Sequence, residues 1–227
     1  TAALQTLGAL GTLPGPEHWA ARRPVVACLA PIDHGHGFGV WAATAALGGH
    51  FLALDARRAV AQLAAQPHVD LLSGVPVQLA DLCDALTRDP QRTLRVANVL
   101  AGSDRLTPDL AERLTALLGA AVGNAYGSTE TGTVCVATPA DRRIDPSTVG
   151  RPLPGCSVTV HDGRLVVRSP LLAGDQFGSD AGWIGADGLV RVSGRADGVR
   201  VSGGENSNAD AVRAWVLDRP GVLSARW

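Results

Sequence analysis

Apolar runs of strand length alternate with helical stripes up to Val136, and this alternation limits the fold more than any other feature of the chain. The runs at 24–30, 50–54, 69–72 and 94–100 are expected to form strands. One of the helical stripes between them consists of Leu79, Leu82, Cys83 and Leu86. Strands that alternate with helices imply right-handed crossovers and a largely parallel sheet, whose ligands lie beyond the carboxyl ends of its strands.

The segment 107–119 has the strongest helix signals. Thr107 is the expected N-cap, Pro108 the first helical residue, and Gly119 the residue past the end. The apolar face of this helix is expected to contain Leu110, Leu114, Leu117 and Leu118.

Two further helices are expected on weaker patterns. One covers 38–47, and the other begins at Asp55 as N-cap and carries Val60, Leu63 and Ala64 on one face.

Beyond Val136 the pattern changes to short alternating segments. Residues 157–160 and 164–168 flank His161-Asp-Gly163, which is typical of a hairpin, and Asp187-Gly188 is expected to be a type I′ turn. A last helix is expected over about 207–218, followed by a strand that begins near Pro220.

The predicted fold class is therefore α/β: a mostly parallel sheet with flanking helices, a small β-rich subdomain, and the beginning of a C-terminal α+β lobe. The expected division is 1–136 and 137–194 within one large domain, with a hinge and the start of a small lobe over 195–227.

Charge and hydropathy exclude two classes of partner. The formal net charge is −1 and no block of five or six basic residues occurs, so no nucleic-acid surface is expected. No apolar run reaches the ~18–20 residues of a membrane span, and the start lacks a signal peptide. We expect a cytoplasmic location. Four separated cysteines, Cys28, Cys83, Cys135 and Cys156, are expected to be free thiols.

Residues 124–132 (NAYGSTETG) form the densest polar segment after an apolar run. Glycines let backbone N–H groups approach an anion, the hydroxyl groups of Ser128 and Thr129 can donate, and Glu130 offers an oxygen ligand for Mg²⁺. Tyr126, the only tyrosine, could lie against a flat base while its hydroxyl stays in water. The residue types alone fit either a polar ligand site or an ordinary polar turn.

His34 and His36 lie two residues apart in a glycine-rich segment after the first strand. They could be metal ligands, but no third ligand lies nearby in the sequence, and a loop histidine bonded to the backbone is the favoured interpretation.

The segment 126–132 (YGSTETG) resembles the tyrosine-glycine-x-threonine-glutamate signature of the adenylate-forming superfamily, which includes acyl-CoA and aryl-CoA synthetases. Four further segments fall in the family's order. They are the proline-histidine-glycine segment at 31–39, the glycine-arginine-proline segment at 149–156, an aspartate-containing block at 178–188, and the block at 194–206. In the aspartate block, serine stands where the family has its middle glycine.

The resemblance implies a role for each matching residue. Glu130 would hold Mg²⁺, Thr129 would bond a phosphate oxygen, and His34 would border the acyl group. Asp197 would be the hinge between lobes, and Gly203 and Gly204 would border the pantetheine of CoA. The implied nucleotide-binding residues are Gly102, Ser103, Asn124, Ala125, Tyr126, Gly127, Ser128, Asp180 and Arg195.

The activity that the resemblance implies is ATP-dependent activation of a small carboxylic acid through an acyl adenylate, with transfer to a thiol. CoA is the expected acceptor and a carrier protein the other candidate; a homodimer is a candidate oligomer. All 20 basic residues are arginine, so the family's phosphate-loop lysine and C-terminal catalytic lysine are absent, and the chain is expected to be truncated. The alternative is a degenerate or repurposed member that binds a nucleotide or acyl thioester without ligase activity.

Overall fold

The computed structural model describes residues 23–172, 177–195, 199–202 and 205–208. Within them, seven strands form one sheet in the order β2-β1-β3-β4-β5-β6-β7. These strands are β1 Val25–Cys28, β2 His50–Ala53, β3 Val69–Gly74, β4 Val96–Gly102, β5 Ala121–Ser128, β6 Gly132–Ala137 and β7 Arg151–Pro152. All pairs among β1 to β5 are parallel, and β6 and β7 add in antiparallel orientation, which confirms the predicted mostly parallel sheet.

Helices cover both faces of this sheet. The helices are α1 Gly35–Ala46, α2 Ala59–Ala64, α3 Pro76–Arg88, α4 Pro108–Leu118 and α5 Pro139–Ile144. Buried side chains of α2, α3 and α4 share one core cluster with strand residues such as Ala27 and Leu72. The opposite strand face, with Val26 and Leu71, packs against Val40 of α1 and Leu47 just after it. The two faces follow from the period-two alternation of strand side chains.

Helix α4 agrees closely with its prediction. The Thr107 hydroxyl accepts a hydrogen bond from the backbone N–H of Leu110 at 3.3 Å, and Gly119 adopts a left-handed φ of 64°. Leu114 is fully buried, but Leu117 is 40% exposed, so its assignment to the buried face was wrong. Leu117 lies at the edge of the apolar stripe, where helix rotation decides exposure.

Two other helix starts were predicted wrongly. Helix α1 begins at Gly35, three residues before the expected start, so His36 belongs to its first turn. Asp55 is not an N-cap: α2 begins at Ala59, and the Asp55 carboxylate accepts from the backbone N–H of Arg57 at 2.8 Å. This local turn gives the Asp55 carboxylate a backbone hydrogen-bond donor before the helix starts.

A second, four-stranded antiparallel sheet has the order β11-β10-β9-β8. Its strands are β8 Ser157–His161, β9 Arg164–Arg168, β10 Phe177–Ile184 and β11 Val190–Arg195. Both Asp162 and Gly163 have positive φ, as the predicted β8–β9 hairpin requires. The predicted type I′ turn at Asp187-Gly188 is wrong, because only Gly188 has positive φ and its N–H closes a turn from Gly185.

The two sheets are joined by a buried cluster and by an ion-pair network around Arg191. Val134 and Cys135 of the first sheet pack with Leu165 and Val167 of the second. The Arg191 guanidinium lies 2.6 Å from the Asp145 carboxylate and 2.7 Å from that of Asp187. The second sheet is therefore held against the β6 end of the first.

The last described elements are the paired strands β12 Val199–Ser202 and β13 Glu205–Asn208. The predicted start of a helix near Ser207 is therefore wrong. The rest of that helix, the strand near Pro220, Asp197, Gly203 and Gly204 lie outside the described residues. All four cysteines are free, as predicted. No helix among the described residues is long and apolar enough to cross a bilayer.

Candidate functional site

The polar segment 124–132 lies on a hairpin, not in a loop after a strand as expected. Strand β5 continues through Ser128, turns at 129–131, and returns as β6. Glycine is required at Gly127, because a Cβ there would collide with the backbone carbonyl oxygen of Gly132. Gly132 itself has a φ of 63°, which favours glycine. The hairpin carries the predicted ligand residues beyond the edge of the parallel sheet.

The buried side chain of Thr131 stabilises the tip of this hairpin through hydrogen bonds. Its hydroxyl accepts from the Ser128 N–H at 3.0 Å and donates to the Gly132 carbonyl at 3.0 Å, and Thr131 is only 2% exposed. The hydroxyl of Ser169, the residue after β9, donates to the Thr131 carbonyl at 2.6 Å, so the segment that leaves the second sheet also contacts the tip. Neither Thr131 nor Ser169 was predicted as a site residue.

Thr129 and Glu130 are the exposed residues of the tip. A hydrogen bond from the Ser128 hydroxyl lowers the pKa of Glu130, helped by the Glu130 backbone N–H and by the charge of Arg195. Glu130 is therefore an anion at neutral pH. Among the described residues no group of three or more histidine, cysteine, aspartate or glutamate side chains could hold a metal ion.

Three predicted nucleotide-binding residues from distant segments meet beside the hairpin. The Tyr126 hydroxyl donates to Asp180 Oδ2 at 2.6 Å, and Asp180 Oδ1 lies 3.6 Å from Arg195 Nε. Asp180 and Arg195 are register partners in β10 and β11. Burial, then the bond to Asp180, raises the pKa of Tyr126. The expectation that the tyrosine hydroxyl stays in water was wrong, because a carboxylate accepts it.

Asn124 is buried in β5, with 7% of its surface exposed. Its Oδ1 atom has no hydrogen-bond partner among the described residues. A buried acceptor without a donor is costly, so this atom is suited to a ligand that brings an N–H group.

His36, not His34, lies at the centre of a polar network at the ends of β3 and β4. His36 Nε2 lies 2.9 Å from Ser73 Oγ, and His36 Nδ1 lies 3.0 Å from Ser103 Oγ. The Ser73 hydroxyl donates onward to the Leu100 carbonyl at 3.1 Å. Burial and the neighbouring His34 lower the pKa of His36 to about 4, so the ring is neutral at pH 7. The favoured interpretation, a backbone-bonded histidine, was wrong for His36.

Gly102 and Ser103 lie beside this network at the end of β4. A Cβ on Gly102 would come within 3.0 Å of His36 Cε1, so the imidazole occupies the space that a side chain would need. Ser103 has a φ of 65°, a left-handed conformation that is uncommon for serine. Gly102 pairs with Ala125 of β5, which brings two of the predicted nucleotide-binding segments together.

The start of α1 touches the hairpin tip. A Cβ on Gly35 would lie 2.9 Å from Thr129 Oγ1, so the Thr129 hydroxyl is packed against the first turn of the helix. His34 is the N-cap residue of α1 and is half-buried. The N-terminal end of a helix carries unpaired N–H groups and favours negative charge.

Comparison with known proteins identifies the family. The family model described as AMP-binding enzyme matches residues 4–173. The chain belongs to the AMP-binding enzyme family. Its mixed α/β fold, with a mostly parallel sheet and a small antiparallel sheet, matches the N-terminal part of adenylate-forming enzymes.

Two curated relatives are similar in sequence. A probable non-canonical nonribosomal peptide synthetase of Salinispora arenicola is 35% identical over 130 residues, covering 56% of this chain and 1% of the relative. A putative acyl-CoA ligase of Bacillus subtilis is 24% identical over 183 residues, which cover 68% of this chain and 36% of the relative. The chain thus spans only a small part of the first relative and about a third of the second.

Two solved structures are similar in fold. A malonyl-CoA ligase with methylmalonyl-CoA and AMP bound is 25% identical, with a TM-score of 0.74, over 99% of this chain and 55% of that one. A double mutant of o-succinylbenzoate CoA synthetase from Bacillus subtilis is 20% identical, with a TM-score of 0.75. The match covers 98% of this chain and 50% of that enzyme. The chain spans about half the length of these enzymes.

Proposed function

We propose that this chain forms the nucleotide and acyl crevice of an adenylate-forming acid–thiol ligase. In that reaction a carboxylate attacks the α-phosphate of ATP, pyrophosphate leaves, and a thiol then displaces AMP from the acyl adenylate. The observation that carries the proposal is the meeting of Tyr126, Asp180 and Arg195, since family membership alone would not require these three side chains to touch.

The described residues fit adenosine. The unpartnered, buried Oδ1 of Asn124 can accept from the amino group of a base, and Tyr126 presents its ring from the same strand face two residues on. Asp180 keeps Oδ1 on the side of Arg195, where it can accept from a ribose hydroxyl. Gly102 and Ala125 to Ser128 would complete the walls around adenosine, and Ser103, which follows Gly102, would border the same crevice.

The hairpin tip fits the phosphates. The Thr129 hydroxyl lies at the start of α1, where helix N–H groups favour an anion. Glu130 is exposed and ionised, so it can provide one oxygen ligand to Mg²⁺. Magnesium commonly takes its other ligands from substrate phosphates and water, so one carboxylate is compatible with this role.

CoA is the proposed thiol, supported by the malonyl-CoA ligase that contains methylmalonyl-CoA. A carrier protein is the other candidate, supported by the peptide synthetase relative. His34 would border the acyl group, Asp197 would be the hinge, and Gly203 and Gly204 would border the pantetheine.

Calorimetric titration of the 227-residue chain with AMP, ATP–Mg²⁺ and CoA tests the nucleotide site. Micromolar AMP binding that is lost in Asp180→Ala is the expected result. Asp81→Ala, an exposed aspartate of α3, is the matched control and should bind as the parent does. Absence of AMP binding by a folded sample would refute the proposal.

A second assay distinguishes a ligase from a family member that binds AMP without catalysing the reaction. Acid-dependent exchange of pyrophosphate into ATP is expected from the gene product that contains this chain. Tight AMP binding without exchange for any of a panel of short, branched and aromatic acids would instead support the non-catalytic member of the family.

A further inference from the structure

A chain of hydrogen bonds runs from Ser103 through His36 and Ser73 to the Leu100 carbonyl. The donor and acceptor of each bond can be assigned by starting from the Leu100 carbonyl. The Leu100 carbonyl oxygen can only accept, so the single hydrogen of the Ser73 hydroxyl is used at that 3.1 Å contact. Ser73 Oγ must therefore accept from His36, which places a hydrogen on Nε2.

The hydrogen on Nε2 of His36 also decides which group donates in the bond between His36 and Ser103. A neutral imidazole with a hydrogen on Nε2 has a lone pair on Nδ1, which accepts from the Ser103 hydroxyl at 3.0 Å. The only hydrogen of Ser103 is thus directed to His36. What Ser103 can offer to a ligand is its oxygen lone pairs, so it serves as a hydrogen-bond acceptor.

Ser103 lies on the α1 face of the sheet, because its hydroxyl bonds the ring of His36 in α1. A Cβ on Gly102 would contact both the His36 ring and the Ala125 carbonyl, and Ala125 packs in the cluster that includes Val40 of α1. Side chains alternate along β5, so Asn124 and Tyr126 point to the opposite face. A ligand whose base meets Tyr126 would therefore meet Ser103 with another part, next to the helix start that contacts Thr129.

The backbone of Ser103 gives independent support for a role. Glycine would adopt a φ of 65° without steric cost, whereas serine is strained there. Strained non-glycine residues cluster at ligand sites, where the side chain has a task.

We propose that Ser103 selects an acyl group that carries a hydroxyl, and that His36 is the positioning residue that keeps Ser103 an acceptor. An ammonium group fits less well, since the network offers only neutral oxygens and a half-buried cation needs a carboxylate partner. The substrate class is therefore a hydroxy-substituted carboxylic acid. This inference rests on the proposed function.

Paired acyl-adenylate analogues test the selection. Acyl sulfamoyl adenosines with propanoyl and 2-hydroxypropanoyl groups, and with butanoyl and 3-hydroxybutanoyl groups, are titrated into the full chain. In at least one pair the hydroxylated analogue should bind about three- to tenfold tighter, as for one net hydrogen bond. The preference should vanish in Ser103→Ala and persist in Ser157→Ala, an exposed serine of β8.

The failures of the two proposals are distinguishable. If AMP does not bind, the nucleotide site itself is wrong. If AMP binds but neither pair shows a hydroxyl preference, or the preference survives in Ser103→Ala, the hydroxyl selection alone is overturned.

The tautomer of His36 can be measured without a ligand. Two-bond ¹H–¹⁵N correlation spectra of the labelled chain distinguish a protonated Nε2 from a protonated Nδ1, and His36→Gln identifies the signal. A hydrogen on Nε2 is expected. A hydrogen on Nδ1 would mean that Ser103 accepts from His36 and has its own hydroxyl hydrogen free to donate to a ligand, which would overturn the proposal.

Discussion

Protonation of His36 should destabilise the fold in a pH range where most carboxylates remain ionised. The ring is held between two serine hydroxyls, and burial disfavours its charged form. A proton on Nδ1 would also remove the acceptor that Ser103 now uses. The perturbation is therefore a fall in pH, and the residue that senses it is His36.

The magnitude follows from the two pKa values. The pKa of His36 falls from an ordinary 6.5 to about 4 in the folded chain. The unfolded chain therefore binds this proton first, so the contribution to stability is complete above about pH 6.5 and is lost as the pH falls toward about 4. Linkage gives a loss of about 2 kcal/mol between about pH 7 and about pH 5.

Urea unfolding at several pH values measures this loss. The free energy of unfolding of the parent should fall by about 2 kcal/mol more than that of His36→Gln over this range. His161→Gln, an exposed histidine of the second sheet, should keep the pH dependence of the parent. Equal pH dependence in the parent and His36→Gln would refute the reasoning. It would mean that His36 has the same pKa in the folded and the unfolded chain.

Five further substitutions are expected to change stability, each measured by urea unfolding. Gly127→Ala should cost about 1–3 kcal/mol or more because its Cβ meets a backbone carbonyl, whereas Gly39→Ala, in open space on α1, should gain about 0.5–1 kcal/mol. Leu114→Ala should cost about 2–5 kcal/mol and the half-exposed Leu117→Ala well under half of that. Tyr126→Phe should cost about 1.5–3 kcal/mol, because its carboxylate partner loses a hydrogen bond; no loss would mean that water replaces it.

The parallel sheet and α4 were predictable because their signals are local. Apolar runs and a capped amphipathic stripe depend on residues within one segment, as Thr107 and Gly119 illustrate. Helix α5 was missed although its signal was also local. Thr138 and Asp141 form a capping box around Pro139, a pattern that predicts a short helix.

The hairpin of the site was not predictable in the same way. Glycine and serine at 127–128 are typical of a turn, yet they continue a strand because β6 pairs with them. That pairing depends on residues beyond the tip and on Ser169, just after β9, which donates to the Thr131 carbonyl. Tertiary contacts therefore override the local preference.

The choice between His34 and His36 was also beyond the sequence. Both histidines sit in the same short segment, and only the start of α1 at Gly35 decides which ring turns toward β3 and β4. Ser73 and Ser103 gave a usable signal, since polar residues at the carboxyl ends of neighbouring parallel strands are expected to converge. The strained φ of Ser103 had no counterpart in the sequence.

The site depends on how the two sheets are joined more than on either sheet alone. Tyr126 belongs to the first sheet and Asp180 to the second, and their bond spans the joint. Arg191 of the second sheet also bonds Asp145, which follows α5. A change at Arg191 would therefore shift Asp180 relative to Tyr126 while both sheets keep their own hydrogen bonds. On the proposed function, Arg191→Ala should therefore lose nucleotide affinity and keep its secondary structure.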